Sequence, residues 1–235
     1  MNNLIGRVAQ TAFVFTFLTL TAAFTFAQQT TGTVSMSATV SKFVEINSGG
    51  AVTLSGNSGG GVTTDGTVNN PLAVSINLGE LGPSNVNSFV TASVPLKIRS
   101  NAAYVLSMSA SVSSSGTTGN KIGAADVGFG LGSVTRSGTG VNTSGSDTNA
   151  TSGDPTLAAN GSVNGTTGRY EFTAANSNLS AFSSSATALN GAFIMNAVPR
   201  SNANGLTVPA IFAVKPQFYE NGTTTVSATF TVSAP

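Results

Sequence analysis

Thr33-Val34-Ser35-Met36-Ser37-Ala38-Thr39-Val40-Ser41-Lys42-Phe43-Val44-Glu45-Ile46-Asn47 is the stretch whose reading decides the fold class. Apolar side chains hold the even positions Val34, Met36, Ala38, Val40, Val44 and Ile46. Polar ones hold Ser35, Ser37, Thr39, Ser41, Glu45 and Asn47. A repeat of two places successive side chains on opposite faces of a strand and fits no helix. Lys42-Phe43 breaks the phase, which predicts a bulge or a change of sheet within one strand running Thr33–Ile46.

The same period recurs along the chain. Strands are expected at Ala51–Ser55 and Leu72–Leu78, with Gly56–Asn70 a loop between them. Val90, Ala92, Val94, Leu96 and Ile98 share one face. Tyr104, Leu106, Met108, Ala110 and Val112 share another, and Ser100-Asn101-Ala102 has the length of a hairpin loop. Pro95 cannot donate to a ladder, so its strand is expected at an edge or a bulge. Ser113–Gly168 is rich in Ser, Thr, Gly and Asn, with one strand signal at Val127, Phe129 and Leu131, and reads as a surface insertion. Strands are expected again at Arg169–Thr173 and Gly191–Val198, with a helical turn permitted in Leu179–Leu189. Leu206, Val208, Ala210, Phe212 and Val214 precede Asn221-Gly222, a hairpin signal, and Val226, Ala228, Phe230 and Val232 follow it. The predicted fold is all-β. It is an antiparallel β-sandwich of immunoglobulin-like or jelly-roll-like kind, with a long Ser/Thr/Gly/Asn-rich insertion at about 113–168.

Composition narrows function by subtraction. The 235 residues include nine Lys/Arg, eight Asp/Glu, and no His, Cys or Trp. No thiol nucleophile, disulfide, Cys/His zinc site or imidazole base can be built from them. The carboxylates are scattered, and Glu45 and Glu171 fall on the polar faces of strands, so the expectation is a non-enzyme with no cofactor and no metal. Asp147 and Asp154 lie among hydroxyl and amide oxygens, yet match no calcium loop and read as solvated. Gly59-Gly60-Gly61 and Gly128-Phe129-Gly130-Leu131-Gly132 lack the Lys of a phosphate loop. The second run instead suggests a strand closely approached by other groups. The sequons at Asn142, Asn149, Asn160, Asn164, Asn178 and Asn221 are what such a composition yields by itself.

Residues 1–27 read as a signal peptide. Arg7 supplies the positive start, Val8–Phe26 the apolar middle, and Thr25-Phe26-Ala27 the small-residue exit. Residues 28–235 are then one exported domain of zero formal charge, expected in the periplasm or at the cell surface. No membrane span is expected after cleavage, and no nucleic acid is expected as a partner.

Three stretches carry a family resemblance: Thr33–Ile46, Val94–Met108, and Tyr219-Glu220-Asn221-Gly222 leading into Val226–Val232. Their order resembles the bacterial exported β-sandwiches of the spore coat U and chaperone–usher pilus-subunit type. The chain departs from that pattern in lacking a disulfide, and Ser113–Gly168 lies outside the likeness. The resemblance implies a structural or adhesive subunit assembling by donated strands, with Val34, Met36, Ala38 and Val40 as the candidate donor. The same alternation serves the domain's own first strand, which is the simpler reading and the preferred one. The alternative function is a non-catalytic module binding a glycan or another ligand through its loops.

Overall fold

The computed structural model describes residues 36–56, 60–64, 71–79, 81, 88–143, 145–194 and 204–235. Ser41–Pro235 forms one compact unit. Within this unit, fourteen strands and three short 3-10 turns are described, with no α-helix among them.

The strands form two main antiparallel sheets. In the first, β1 (Val44–Ser48) and β2 (Thr53–Ser55) both pair with β5 (Val90–Ser100). β5 pairs with β13 (Gly205–Val214), which pairs in turn with β7 (Val127–Leu131) and β8 (Thr135–Ser137). The second sheet runs β3 (Gly61–Thr64), β4 (Leu72–Asn77), β14 (Thr224–Ser233), β6 (Tyr104–Ser114), β12 (Ala186–Gly191) and β9 (Asp147–Asn149). A separate hairpin joins β10 (Gly161–Val163) to β11 (Tyr170–Phe172).

The sheets share one core, which makes the fold sandwich-like. Ile46, Val94, Leu96, Phe129 and Phe212 come from the first sheet; Leu72, Ile76, Met108, Phe230 and Val232 come from the second. Phe212 and Phe230 meet across the sheets with ring centroids 6.5 Å apart, and Phe129 and Phe182 meet edge-on at 5.0 Å. Burying each such side chain contributes about 1.5–3 kcal/mol.

Both expected hairpins are corners instead. β5 and β6 lie in different sheets, so Ser100-Asn101-Ala102 carries the chain from one layer to the other. β13 and β14 also lie in different sheets, and neither Asn221 nor Gly222 adopts positive φ. The reason is partner length. β5 pairs with β13 over nine positions and β6 with β14 over ten, so each strand satisfies its backbone with a distant partner rather than its neighbour.

Pro95 does not mark an edge strand, because β5 lies inside the first sheet. It sits directly opposite Pro209 in the β5–β13 register. The Pro95 carbonyl accepts from Gly49 N–H, just after β1, and the Pro209 carbonyl accepts from Gly132 N–H, just after β7. A residue's N and C=O point to the same side of a strand, so each ring aims its missing donor outward. There it meets the break between two short outer strands, β1 and β2 on one side and β7 and β8 on the other.

Part of Ser113–Gly168 is core rather than surface. All five residues of β7 are buried, and a Cβ on Gly128 would lie 2.4 Å from the Phe172 ring. A Cβ on Gly130 would lie 1.5 Å from the Gly153 carbonyl. The close approach suggested by the glycine run is therefore present. β3 lies inside the stretch expected to be loop; of the strand expected at Gly191–Val198 only Gly191 is in a strand, as the last residue of β12, and Ala192–Ile194 are in none. Residues 195–198 lie outside the described part.

Of the expected strand Thr33–Ile46, Met36–Phe43 are in no strand and β1 begins at Val44, while Thr33–Ser35 lie outside the described residues. Val44 pairs with Ser100, the last residue of β5, so the chain before it has no length of β5 left to pair with.

Candidate functional site

Of the four residues singled out for strand donation, Val34 lies outside the described part of the chain. Met36, Ala38 and Val40 belong to no strand and are exposed, Met36 at 94 % and Val40 at 84 %. None of the three belongs to the core cluster. The signal-peptide reading also concerns residues outside the described part.

Glu45 does not face solvent. It pairs with Arg99 in the β1–β5 register, Arg99 Nη2 lies 2.9 Å from Glu45 Oε1, and both side chains are 2 % exposed. Sequence reasoning missed this because strand alternation reports polarity, and a charge on the polar face can still be covered from outside.

Asp147 is not a solvated loop carboxylate. Arg136 grips it in a fork, Nε to Oδ2 at 2.9 Å and Nη2 to Oδ1 at 2.6 Å. Tyr104 donates its hydroxyl to Oδ1 at 2.7 Å, while Arg136 Nη1 donates to the carbonyls of Asn142 and Phe193. The knot joins β8 of the first sheet to β6 and β9 of the second. Glycines frame it: a Cβ on Gly191 would sit 2.3 Å from Asp147 Oδ1, and one on Gly145 would sit 2.3 Å from Arg136 Cζ. Burial first, then the bond to Asp147, pushes the Tyr104 phenol well above its ordinary range. The bond to Asp147 raises Arg136 further. With both carboxylate oxygens held by a guanidinium, Asp147 is not placed to ligate calcium. Asp154 uses Oδ1 to accept from Thr156 N–H and hydroxyl. Among the described residues no three acidic side chains gather to hold a metal ion.

The Glu220 carboxylate staples the β13–β14 connection to the loop after β6. It accepts from the backbone N–H groups of Thr117 and Thr118 at 2.9 and 2.6 Å, and from both hydroxyls. These donors, led by the Thr118 hydroxyl, hold its pKa down at about 2.

A pocket of about 320 Å³ opens between the β10–β11 hairpin and the segment following β13. Val163, Gly168 and Tyr170 line one side; Lys215, Pro216, Gln217 and Phe218 line the other. Gln217 ties the two sides together, accepting from Tyr170 N–H and donating to the Tyr170 carbonyl at 3.1 Å and the Tyr219 hydroxyl at 2.9 Å. Phe218 is 83 % exposed and Val163 66 %. The Lys215 ammonium sits 4.9 Å from the centre of the Phe89 ring and makes no ion pair among the described residues. The sequence carries no sign of this pocket, since Tyr170 and Phe218 look like any other aromatic near a strand.

No family model, curated protein or solved structure matches this chain. Among the described residues no helix is long and apolar enough to cross a membrane.

Proposed function

We propose that this chain is an exported structural protein that assembles or adheres through β-strand pairing. The observation that carries the reading is the state of Met36–Val40. Its apolar residues alternate as a strand's do, yet Met36–Val40 are in no strand, and Met36 and Val40 are almost fully exposed. Exposed alternating residues of this kind supply the side chains of an added strand, while backbone hydrogen bonds supply its strength. The sandwich also has outer strands able to receive one. Among the described residues β3 has no neighbour beyond β4, and all its residues are exposed or half-exposed. The signal-like residues 1–27, the low charge and the absence of His and Cys support a role outside the cytoplasm without catalysis.

The test is the mass of residues 28–235 in solution, by light scattering with negative-stain imaging, beside a chain beginning at Lys42. The expected result is polymers from the longer chain and a folded monomer from the shorter. Met36→Lys with Val40→Lys should also abolish the polymers. A longer chain that stays monomeric would overturn the reading.

A further inference from the structure

We propose that the pocket between Tyr170 and Phe218 binds an acidic saccharide, a sugar ring bearing a carboxylate. The proposal does not rest on strand pairing, which concerns other residues. Its first support is shape. The pocket, about 320 Å³, is at the small end of ligand sites and suits one or two rings. Its walls are mostly apolar, and it opens to solvent. The second support is the exposed Phe218. An aromatic ring 83 % exposed beside a pocket presents a flat negative face to the positive C–H edges of a sugar.

The third support is charge. Lys215 lines the pocket while the nearby charges are occupied: Arg169 pairs with Asp126 at 2.6 Å, and Glu171 accepts from Asn164 at 3.0 Å. Among the described residues that line the pocket, Lys215 is the cation without an ion pair, its ammonium resting on the Phe89 ring, and it can meet an anionic ligand group. The fourth support is rigidity. Gln217 fixes the Phe218 segment to β11 through bonds to both backbone groups of Tyr170, so the two walls are set before a ligand arrives. The formal charge of the chain is only +1, which favours a locally acidic sugar over a polyanionic nucleic acid.

The experiment is calorimetric titration of the full chain with tetragalacturonate, its methyl ester and adenosine monophosphate. The acid form is expected to bind about threefold more tightly than its methyl ester, matching the loss on removing Lys215, to weaken as salt is raised to about 1 M, and to be preferred over the nucleotide. Phe218→Ala should weaken it about tenfold, and Lys215→Ala about threefold. Leu157→Ala, at an exposed position that does not line the pocket, should leave binding unchanged. Both pocket side chains are at the surface, and an unchanged thermal melt will show that the variants fold. No binding, equal binding of the ester, preference for the nucleotide, or indifference to both pocket variants would each overturn the proposal.

Discussion

Gly130 shows how little room a single residue can leave. Its missing side chain admits the Gly153 carbonyl, 1.5 Å from where a Cβ would stand. Backbone cannot swing aside as a long side chain can, so Gly130→Ala should destabilise the protein by about 3 kcal/mol. Gly165, with nothing near its Cβ position and no positive φ, should tolerate Ala within about 0.5 kcal/mol. Urea denaturation of the two variants checks the pair. Glu220 works by charge instead. Its folded pKa lies at about 2, below the ordinary 4.5, so its contribution is complete above pH 4.5 and fades as pH falls towards 2. Glu220→Gln should flatten the loss of stability across that acid window, as measured by melting temperature against pH.

Strand β7 is the element whose importance composition hides. It lies in a Ser/Gly/Thr/Asn-rich stretch, yet Phe129 is fully buried against Phe182 and Phe212. Phe129→Ala should cost about 3–5 kcal/mol in chemical denaturation, as expected for an aromatic removed from a packed core. The Arg136–Asp147 knot ties elements of both sheets, with side chains only 5 % and 8 % exposed. Removing one partner leaves a buried charge alone, so Asp147→Ala should cost about 3–5 kcal/mol. Replacing both partners by apolar residues, Arg136→Met with Asp147→Leu, should cost less than the single change. A smaller loss for the single variant than for the double would refute the assignment of the knot as a buried ion pair.

At the scale of the whole molecule, all three tyrosines are shifted the same way. Burial raises Tyr104, Tyr170 and Tyr219 above the ordinary 10.0, with Asp147 adding to Tyr104 and Asp126 to Tyr219. Groups raised in the folded state contribute stability below pH 10 and lose it as pH rises past that value. Tyrosinate absorbance of the folded protein should therefore appear above pH 10, later than in the urea-unfolded chain, and no Trp is present to obscure it. A gradual ionisation near pH 10 with the fold intact would contradict this.

Legibility followed range. Alternation in Leu72–Leu78, Val90–Ile98, Tyr104–Val112 and Leu206–Val214 was enough to establish an all-β chain and name most of its core, because the two-residue period is local. It could not tell whether consecutive strands pair, since a corner and a hairpin use the same short polar link. Nor could it tell a strand from a strand-like segment. Met36–Val40 alternates as well as any, yet it is in no strand: pairing needs a partner of sufficient length, and β5 ends at Ser100. The candidate site was legible only to that extent: the segment was visible, its exposure was not.

By itself, then, the sequence determined the class of fold, the inward faces of the long strands and the absence of thiol and imidazole chemistry. These depend on residue type and spacing alone. Tertiary structure decided which sheet each strand joins, why Pro95 and Pro209 sit opposite one another, and how Arg136 and Asp147 meet. It also decided that Tyr170, Lys215 and Phe218 line one pocket. Each of these joins residues far apart in the chain, and such contacts arise from the complementary lengths and shapes of whole elements.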